Sequence, residues 1–252
     1  MAIQGQASSD ATAVVQSIWL GPLSVMERLV IASFIANGHA FHLYTYDEIE
    51  DLPAGGVVKD AREVLPADWV LRDSKRSFAG FSDVFRYKLL LEKGGWWVDM
   101  DTVCLQPWRF TDEYFFVREP DLTISAGVIH VPPGSDVMRR GWERSQRYRP
   151  RRLPFQRKRL PWMALGPNLL AELVEACGLS DHAVDPAAFY PLDWRDWEEV
   201  LKPDGVTRID DETKAVHLWN SMWARVGRDK NATYPHDCLY EQLKRRYLGA
   251  GA

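Results

Sequence analysis

The sequence predicts an α/β fold, and three observations carry that expectation. The chain opens with a strand–helix–strand pattern. A second helix runs through a glycine pair straight into another strand, and 252 residues at 46% apolar composition suffice for one sizeable core rather than two independent domains.

Taken in order, residues 1–12 are small and polar. They read as a disordered tail without the basic and apolar regions of a signal peptide. Ala13 to Leu20 is β-prone and closed by Gly21-Pro22. Ser24 and Glu27 then form a capping box, and Met26, Leu29, Val30 and Phe34 share one helical face that ends at Asn37-Gly38. Ala40 to Tyr46 alternates as a strand does, which completes the β-α-β unit of a parallel sheet. Asp47 to Ala79 is looser, punctuated by Pro53, Gly55-Gly56 and Pro66. Ser82 to Lys93 is a second helix, packed through Val84, Phe85, Leu89 and Leu91 and stopped by Gly94-Gly95, with the strand Trp96 to Met100 directly after. Ile124 to Val131 is a further strand and Leu169 to Cys177 a further helix. Ala215 to Leu218 is a short strand, followed by a Trp-rich loop and a terminal helix from Asp237 to Tyr247.

Composition excludes several function classes. A formal net charge of -4 does not suit a nucleic-acid binder that works by bulk charge. Three scattered cysteines offer no disulfide framework, which points to a reduced, cytoplasmic chain. No apolar run approaches the ~18 residues that cross a bilayer, so membrane contact would be peripheral, on the inner face. One segment departs from this balance. Arg139 to Arg159 holds ten Lys/Arg against the single acid Glu143, and with its prolines 139–162 reads as an irregular or partly helical basic insertion facing an acceptor or a membrane. A solvated loop is the plain alternative. The eleven tryptophans suit either a core of large side chains or platforms for a base or a sugar, and composition favours the core.

The chemistry concentrates around Asp99-Met100-Asp101. In an extended segment alternate residues share a face, so the two carboxylates would project together from the carboxyl end of a strand, where ligands of open α/β sheets bind. Two such acids call for a hard cation, Mn²⁺ or Mg²⁺, with phosphate oxygens completing its shell. A pair of solvent-facing turn acids is the alternative. Asp83 and Arg86 are three apart on the preceding helix and hence neighbours; read by themselves they are an ordinary ion pair, worth little.

The run from Phe81 to Asp101 resembles the SDxxRYxxLxxxGGxYxDxD signature of DXD-containing retaining glycosyltransferases, with Trp97 where Tyr is usual. That group spans α-1,4-galactosyltransferases, yeast-type initiating α-mannosyltransferases and bacterial capsular-polysaccharide transferases. Three further stretches are similar to its other landmarks: Ser17 to Gly21 to xIWxG, Leu165-Gly166-Pro167 to TGP, and His217 to Trp223 to HxWxxSW. The resemblance implies a single-domain GT-A fold over 13–252, a Rossmann-like mixed sheet flanked by helices. It implies a nucleoside-diphosphate sugar as donor, UDP- ahead of GDP-, and a saccharide or lipid-linked acceptor in surface polysaccharide or glycolipid synthesis. Asp101 would ligate the metal, with Asp99 beside the metal or the ribose and sugar hydroxyls. Asp83 and Arg86 would contact the donor sugar and diphosphate, Trp19 would lie by the base, and Asn220 would line the donor site. His217 would be a metal ligand or, equally, a packed structural histidine, and Trp223 would close over the phosphates as a lid. Asp101 and Arg86 would carry catalysis by stabilising charge on the departing diphosphate, with retention of anomeric configuration and no protein nucleophile.

Val98 to Val103 also fits the nucleophile loop of haloacid-dehalogenase-like phosphatases, with Asp99 as nucleophile. That loop follows the first strand of its fold, however, whereas Asp99 lies nearly a hundred residues into this chain. Asn231-Ala232-Thr233 is a chance sequon, Asp210-Asp211 a polar turn, and Asp193, Asp196, Glu198 and Glu199 a surface acidic cluster.

Overall fold

The computed structural model describes residues 13–119, 123–149, 159–206 and 209–249. The expected N-terminal tail and the 150–158 part of the basic segment lie outside these residues.

Strand β1 (Val14–Ile18) leads to helix α1 (Val25–Ala36). The capping box forms as the residue types require: Ser24 Oγ accepts from the Met26 N–H at 3.2 Å, and Glu27 Oε2 accepts from the Ser24 N–H at 2.7 Å. Met26, Leu29, Val30 and Phe34 are buried, and Gly38 at φ +84 turns the chain into β2 (Ala40–Thr45), parallel to β1. The section expected to be loose contains a strand. β3 (Gly56–Asp60) pairs in parallel with β2 at the sheet edge. Val57 and Val58 stand 40% and 43% exposed there, so the strand has no buried face for hydrophobic alternation to reveal.

Helix α2 (Ala79–Lys93) begins three residues before the expected Ser82 and ends at Gly94, φ +61. β4 (Gly95–Val98) follows at once, beside β1. Its side chains alternate as strand geometry demands, with Trp96 and Val98 in the core on the α1 side and Trp97 in the core on the α2 side. β5 (Thr102–Cys104) pairs antiparallel with β9 (Ala215–His217) in a separate ribbon. β7 (Ile124–Val131) matches its expected span, antiparallel to both β4 and β6 (Phe115–Arg118), and β8 (Ala183–Val184) closes that edge. The seven-stranded order is β3-β2-β1-β4-β7-β6-β8, a mixed sheet with helices on both faces. This is the arrangement that the GT-A resemblance implies.

The remaining helices are α3 (Asp136–Ser145), α4 (Pro167–Ala176), α5 (Asn220–Val226) and α6 (Leu239–Tyr247). One expectation is corrected here, because the Trp-rich loop contains α5. The basic segment is partly helical at its start, where residues 139–145 belong to α3, packed between α2 and α4. Gly141 of α3 lies against the Tyr87 ring of α2, and no larger residue fits there. The arginines of α3 are largely paired: Arg139 with Asp136 and Glu143, Arg140 with Asp136, and Arg144 with Glu172.

From β1 the chain crosses to β2 on one side and later returns to β4 on the other. The strand order therefore switches between β1 and β4, and a crevice opens at their carboxyl ends.

A Cβ at Gly94 would run into the backbone of Pro132 and Pro133, at a positive φ that L side chains rarely adopt. Gly94→Ala is expected to cost about 2–4 kcal/mol in urea unfolding.

Candidate active site

Asp99 and Asp101 lie at this crevice, but not as alternate residues of a strand. β4 stops at Val98, and residues 99–101 form a turn in which the Thr102 N–H donates to the Asp99 carbonyl at 3.0 Å. The Asp99 N–H is pinned to β7 through the Gly127 carbonyl at 2.9 Å. The turn thus joins the main sheet to the β5–β9 ribbon and gives each carboxylate its own partners.

Asp99 belongs to a cluster organised by Arg86, which is 2% exposed. One terminal nitrogen of Arg86 donates to Asp99 Oδ1 at 3.1 Å and to the Ala126 carbonyl, and the other donates to Asp83 Oδ1. Trp97 lies beneath, its Nε1–H donating to Asp99 Oδ1 at 2.9 Å and its ring 5.2 Å from the guanidinium carbon. Burial pushes the Asp83 carboxyl up to about 7, Arg86 pulls against that, and the charges of Asp99 and Asp73 add to the rise. Asp99 is likewise raised, by burial first and then by the neighbouring Asp101 charge, with Arg86 opposing. Its side chain is still 34% exposed, and the water reaching it limits that push.

Asp101 is held from the other side. His217 Nε2 lies 3.0 Å from its Oδ1, and the Asn220 N–H donates to its Oδ2 at 2.8 Å. Burial alone would raise Asp101, but His217 and the Asn220 N–H hold it below the usual carboxylate range. For His217 burial works downward, and Asp101 overrides it to leave the imidazole raised. Trp219 makes this geometry possible. It adopts the left-handed conformation at φ +56, rare for a bulky residue. That conformation turns the chain so that the Asn220 amide faces Asp101. The Trp219 ring covers His217 with centroids 4.0 Å apart.

The structure thus brings together Asp83, Arg86, Asp99, Asp101, His217 and Asn220. Trp19 stands at the end of β1, half-buried, its Nε1–H bonded to the Pro22 carbonyl at 3.1 Å. One sequence expectation fails. Trp223 is wholly buried among Trp197, Tyr234 and Tyr240, with its Nε1–H on the Leu218 carbonyl at 2.7 Å, so it is core and not a lid. Arg86 is buried and turns three of its five N–H donors toward Asp83, Asp99 and the Ala126 carbonyl.

The floor of the crevice was not foreseen. Ser125 Oγ and the Tyr190 hydroxyl lie 2.7 Å apart, and the Gly127 N–H donates to Ser125 Oγ at 3.0 Å. A Cβ on Gly127 would stand 3.1 Å from the Tyr190 hydroxyl and 3.4 Å from Asp99 Oδ2. A glycine inside so apolar a strand is the available signal, since it marks close approach of another group. Nothing in the sequence points to Tyr190. Gly166, the N-cap of α4, similarly leaves room beside Asp83 Oδ2, 3.5 Å from where its Cβ would be. The Tyr87 hydroxyl donates to the Leu165 carbonyl at 3.0 Å and holds that loop in place.

Among the described residues no three His, Cys, Asp or Glu side chains are grouped as a ready cage for a metal ion. The donor set still fits a small divalent cation. Asp99 is partly open to solvent, Asp101 is kept ionised, and the buried His217 Nδ1 has no hydrogen-bond partner. Two carboxylates, with ligand oxygens filling the other positions, suit Mg²⁺ or Mn²⁺, and imidazole is acceptable to the latter.

Removing Arg86 would leave the buried Asp83 and the partly exposed Asp99 without their cation. Arg86→Met is expected to destabilise the chain by about 3–5 kcal/mol in denaturant unfolding. Trp97→Phe, which deletes only the indole N–H to Asp99, is expected to cost about 1 kcal/mol.

Comparison with known proteins agrees with this geometry. Residues 40–116, which hold Asp83 to Asp101, match the family model described as a glycosyltransferase sugar-binding region containing a DXD motif. Residues 157–247, which hold Gly166, His217 and Asn220, match the alpha 1,4-glycosyltransferase conserved region. Lactosylceramide 4-alpha-galactosyltransferase of Mus musculus is 31% identical over 100 residues, covering 34% of this chain and 27% of that protein. The Homo sapiens enzyme of the same name is 33% identical over 73 residues, covering 23% and 21%. The chain therefore spans only about a quarter of the length of these relatives. Among solved structures, the apo form of the glycosyltransferase GlyE from Streptococcus pneumoniae superposes with a TM-score of 0.46 at 11% identity, over 94% of this chain and 64% of that one. The two family regions lie in order along the sequence and supply the two sides of one crevice, so the likeness to the DXD-containing glycosyltransferases covers both sides of the candidate site.

Proposed function

We propose that the chain transfers a sugar, with retention of configuration, from a nucleoside-diphosphate sugar to a saccharide or glycolipid acceptor, with the help of a divalent cation. The observation that carries this reading is the Asp99–Asp101 turn at the switch point between β1 and β4, each carboxylate fixed by separate partners. The relatives' names, which describe galactose transfer to a glycolipid, support that acceptor class and make UDP-galactose the first donor to test.

Asp101, Asp99 and, through its imidazole, His217 would hold the cation, which when bound supplies Lewis-acid stabilisation to the departing diphosphate. The protein's own part is preorganisation. His217 and the Asn220 amide fix Asp101, and Arg86 and Trp97 fix Asp99, so little reorganisation is needed as charge develops. Trp19, at the mouth beside β1, offers a flat face to the base. Gly166 and Gly127 keep the sugar end open next to Asp83 and Asp99. Arg86 acts as a positioning residue rather than as a contact to substrate. The phosphatase alternative loses ground, because Asp99 follows the fourth strand, beside the antiparallel β7, and its carboxylate is tied to Arg86 and Trp97.

A panel of UDP- and GDP-sugars with Mn²⁺ and a lactose-terminated acceptor tests the reading through release of nucleoside diphosphate. Turnover with at least one donor is expected, and Asp101→Asn should reduce it about a hundredfold or more. Silence across the panel, together with hydrolysis of a generic phosphate ester, would sink the proposal.

A further inference from the structure

Arg86 is committed to Asp83, Asp99 and Ala126, which leaves an electrostatic problem. Asp83, Asp99 and Asp101 all border the crevice, and a diphosphate entering it adds further negative charge. A divalent cation would offset part of this charge, and a protein cation at the crevice other than the buried Arg86 would offset more.

Lys230, on the loop after α5, is such a cation. Its Nζ donates to Glu27 Oε1 at 2.5 Å and lies 5.1 Å from the centre of the Trp19 ring. Glu27 is completely buried, whereas the Lys230 side chain remains 20% exposed. The loop is clasped to the first turn of α1 at a further point, where Asn231 Oδ1 accepts from the Val25 N–H at 2.9 Å, and it is held to α6 by the Tyr240 hydroxyl, which donates to the Lys230 carbonyl at 2.8 Å. An ammonium has three donors, and Glu27 occupies one of them. The position is also suited to an anion, because the first βα turn of such a sheet, beside the switch point, is where phosphate groups settle. Burial pushes the Asp101 carboxyl up, His217 and the Asn220 N–H hold it down, and the Lys230 charge reaches far enough to add to their effect.

We propose that Lys230, not Arg86, is the side chain that contacts the diphosphate of a bound nucleoside diphosphate, with Glu27 and Trp19 as positioning residues that hold its ammonium at the crevice. This rests on the donor class proposed above. It assigns the protein's own contribution of positive charge to a residue outside the DXD and HxWxxSW stretches.

The test compares the full wild-type chain with Lys230→Met/Glu27→Gln, a pair that leaves no buried carboxylate without its partner. Both are titrated, with Mn²⁺ present, with UDP and GDP and with the bare nucleosides uridine and guanosine, after thermal unfolding has shown that the variant is folded. Diphosphate affinity is expected to fall about tenfold or more, the size of one charge-assisted hydrogen bond. Nucleoside affinity should be unchanged, and Lys230→Arg should recover most of the loss. Equal weakening of nucleoside and diphosphate would overturn the proposal in favour of simple packing around Trp19, and so would undiminished diphosphate binding. Failure of the wild-type chain to bind any of the four would remove the donor reading itself, a result distinct from failure of Lys230 alone.

Discussion

The guanidinium of Arg86 is shut away from water and still satisfies two carboxylates and a backbone carbonyl, each from a different element: Asp83 on α2, Asp99 after β4, and Ala126 on β7. Desolvating charges costs several kcal/mol per ion, and the cost is offset only when every partner stays in place. The cluster therefore behaves as a unit. It fixes the angle at which α2 approaches the sheet, and with it the start of the DXD turn. Trp97 reinforces it from below, through its N–H and its ring face.

The second support has a different character. Asp101 is set by long-range pairing: β5 against β9, His217 opposite Thr102, and an amide presented by the left-handed Trp219. Glycine at that backbone position would relieve the strain but give up the ring that covers His217. The strain at Trp219 therefore has a visible return, in an ordered imidazole and a correctly aimed amide.

Local rules made much of the fold legible. The Ser24–Glu27 box, the Gly94 stop and the apolar run of β7 each announce themselves within a few residues. The SDxxRY and DXD residues were legible as a group, but their division of labour was not. Arg86 reads in sequence as an exposed helix cation available to a ligand, and only the fold shows that it is buried and turned toward Asp83 and Asp99. Trp223 looked like a lid because it ends a recognisable stretch; burial by Trp197 and Tyr240 comes from segments far along the chain. β3 was invisible because neither of its faces is covered, and Tyr190 because its partner Ser125 lies 65 residues away. The tryptophans mostly fill the core, as composition favoured, with Trp97 and Trp223 among the largest fully buried side chains.

The clasp of Lys230 and Asn231 on the first turn of α1 closes loops of 203 and 206 residues. During synthesis the α1 end of the crevice therefore appears long before the group that completes it, and the Asp101–His217 contact also waits for a distal segment. Contacts of such high sequence separation are slow to form, because the loop entropy is lost before the contact gives anything back. Glu27 thus spends most of translation without its cation, a buried-type carboxylate that water must solvate meanwhile. The crevice is in this sense a checkpoint of folding: only a chain whose distal segment has docked can present a finished site.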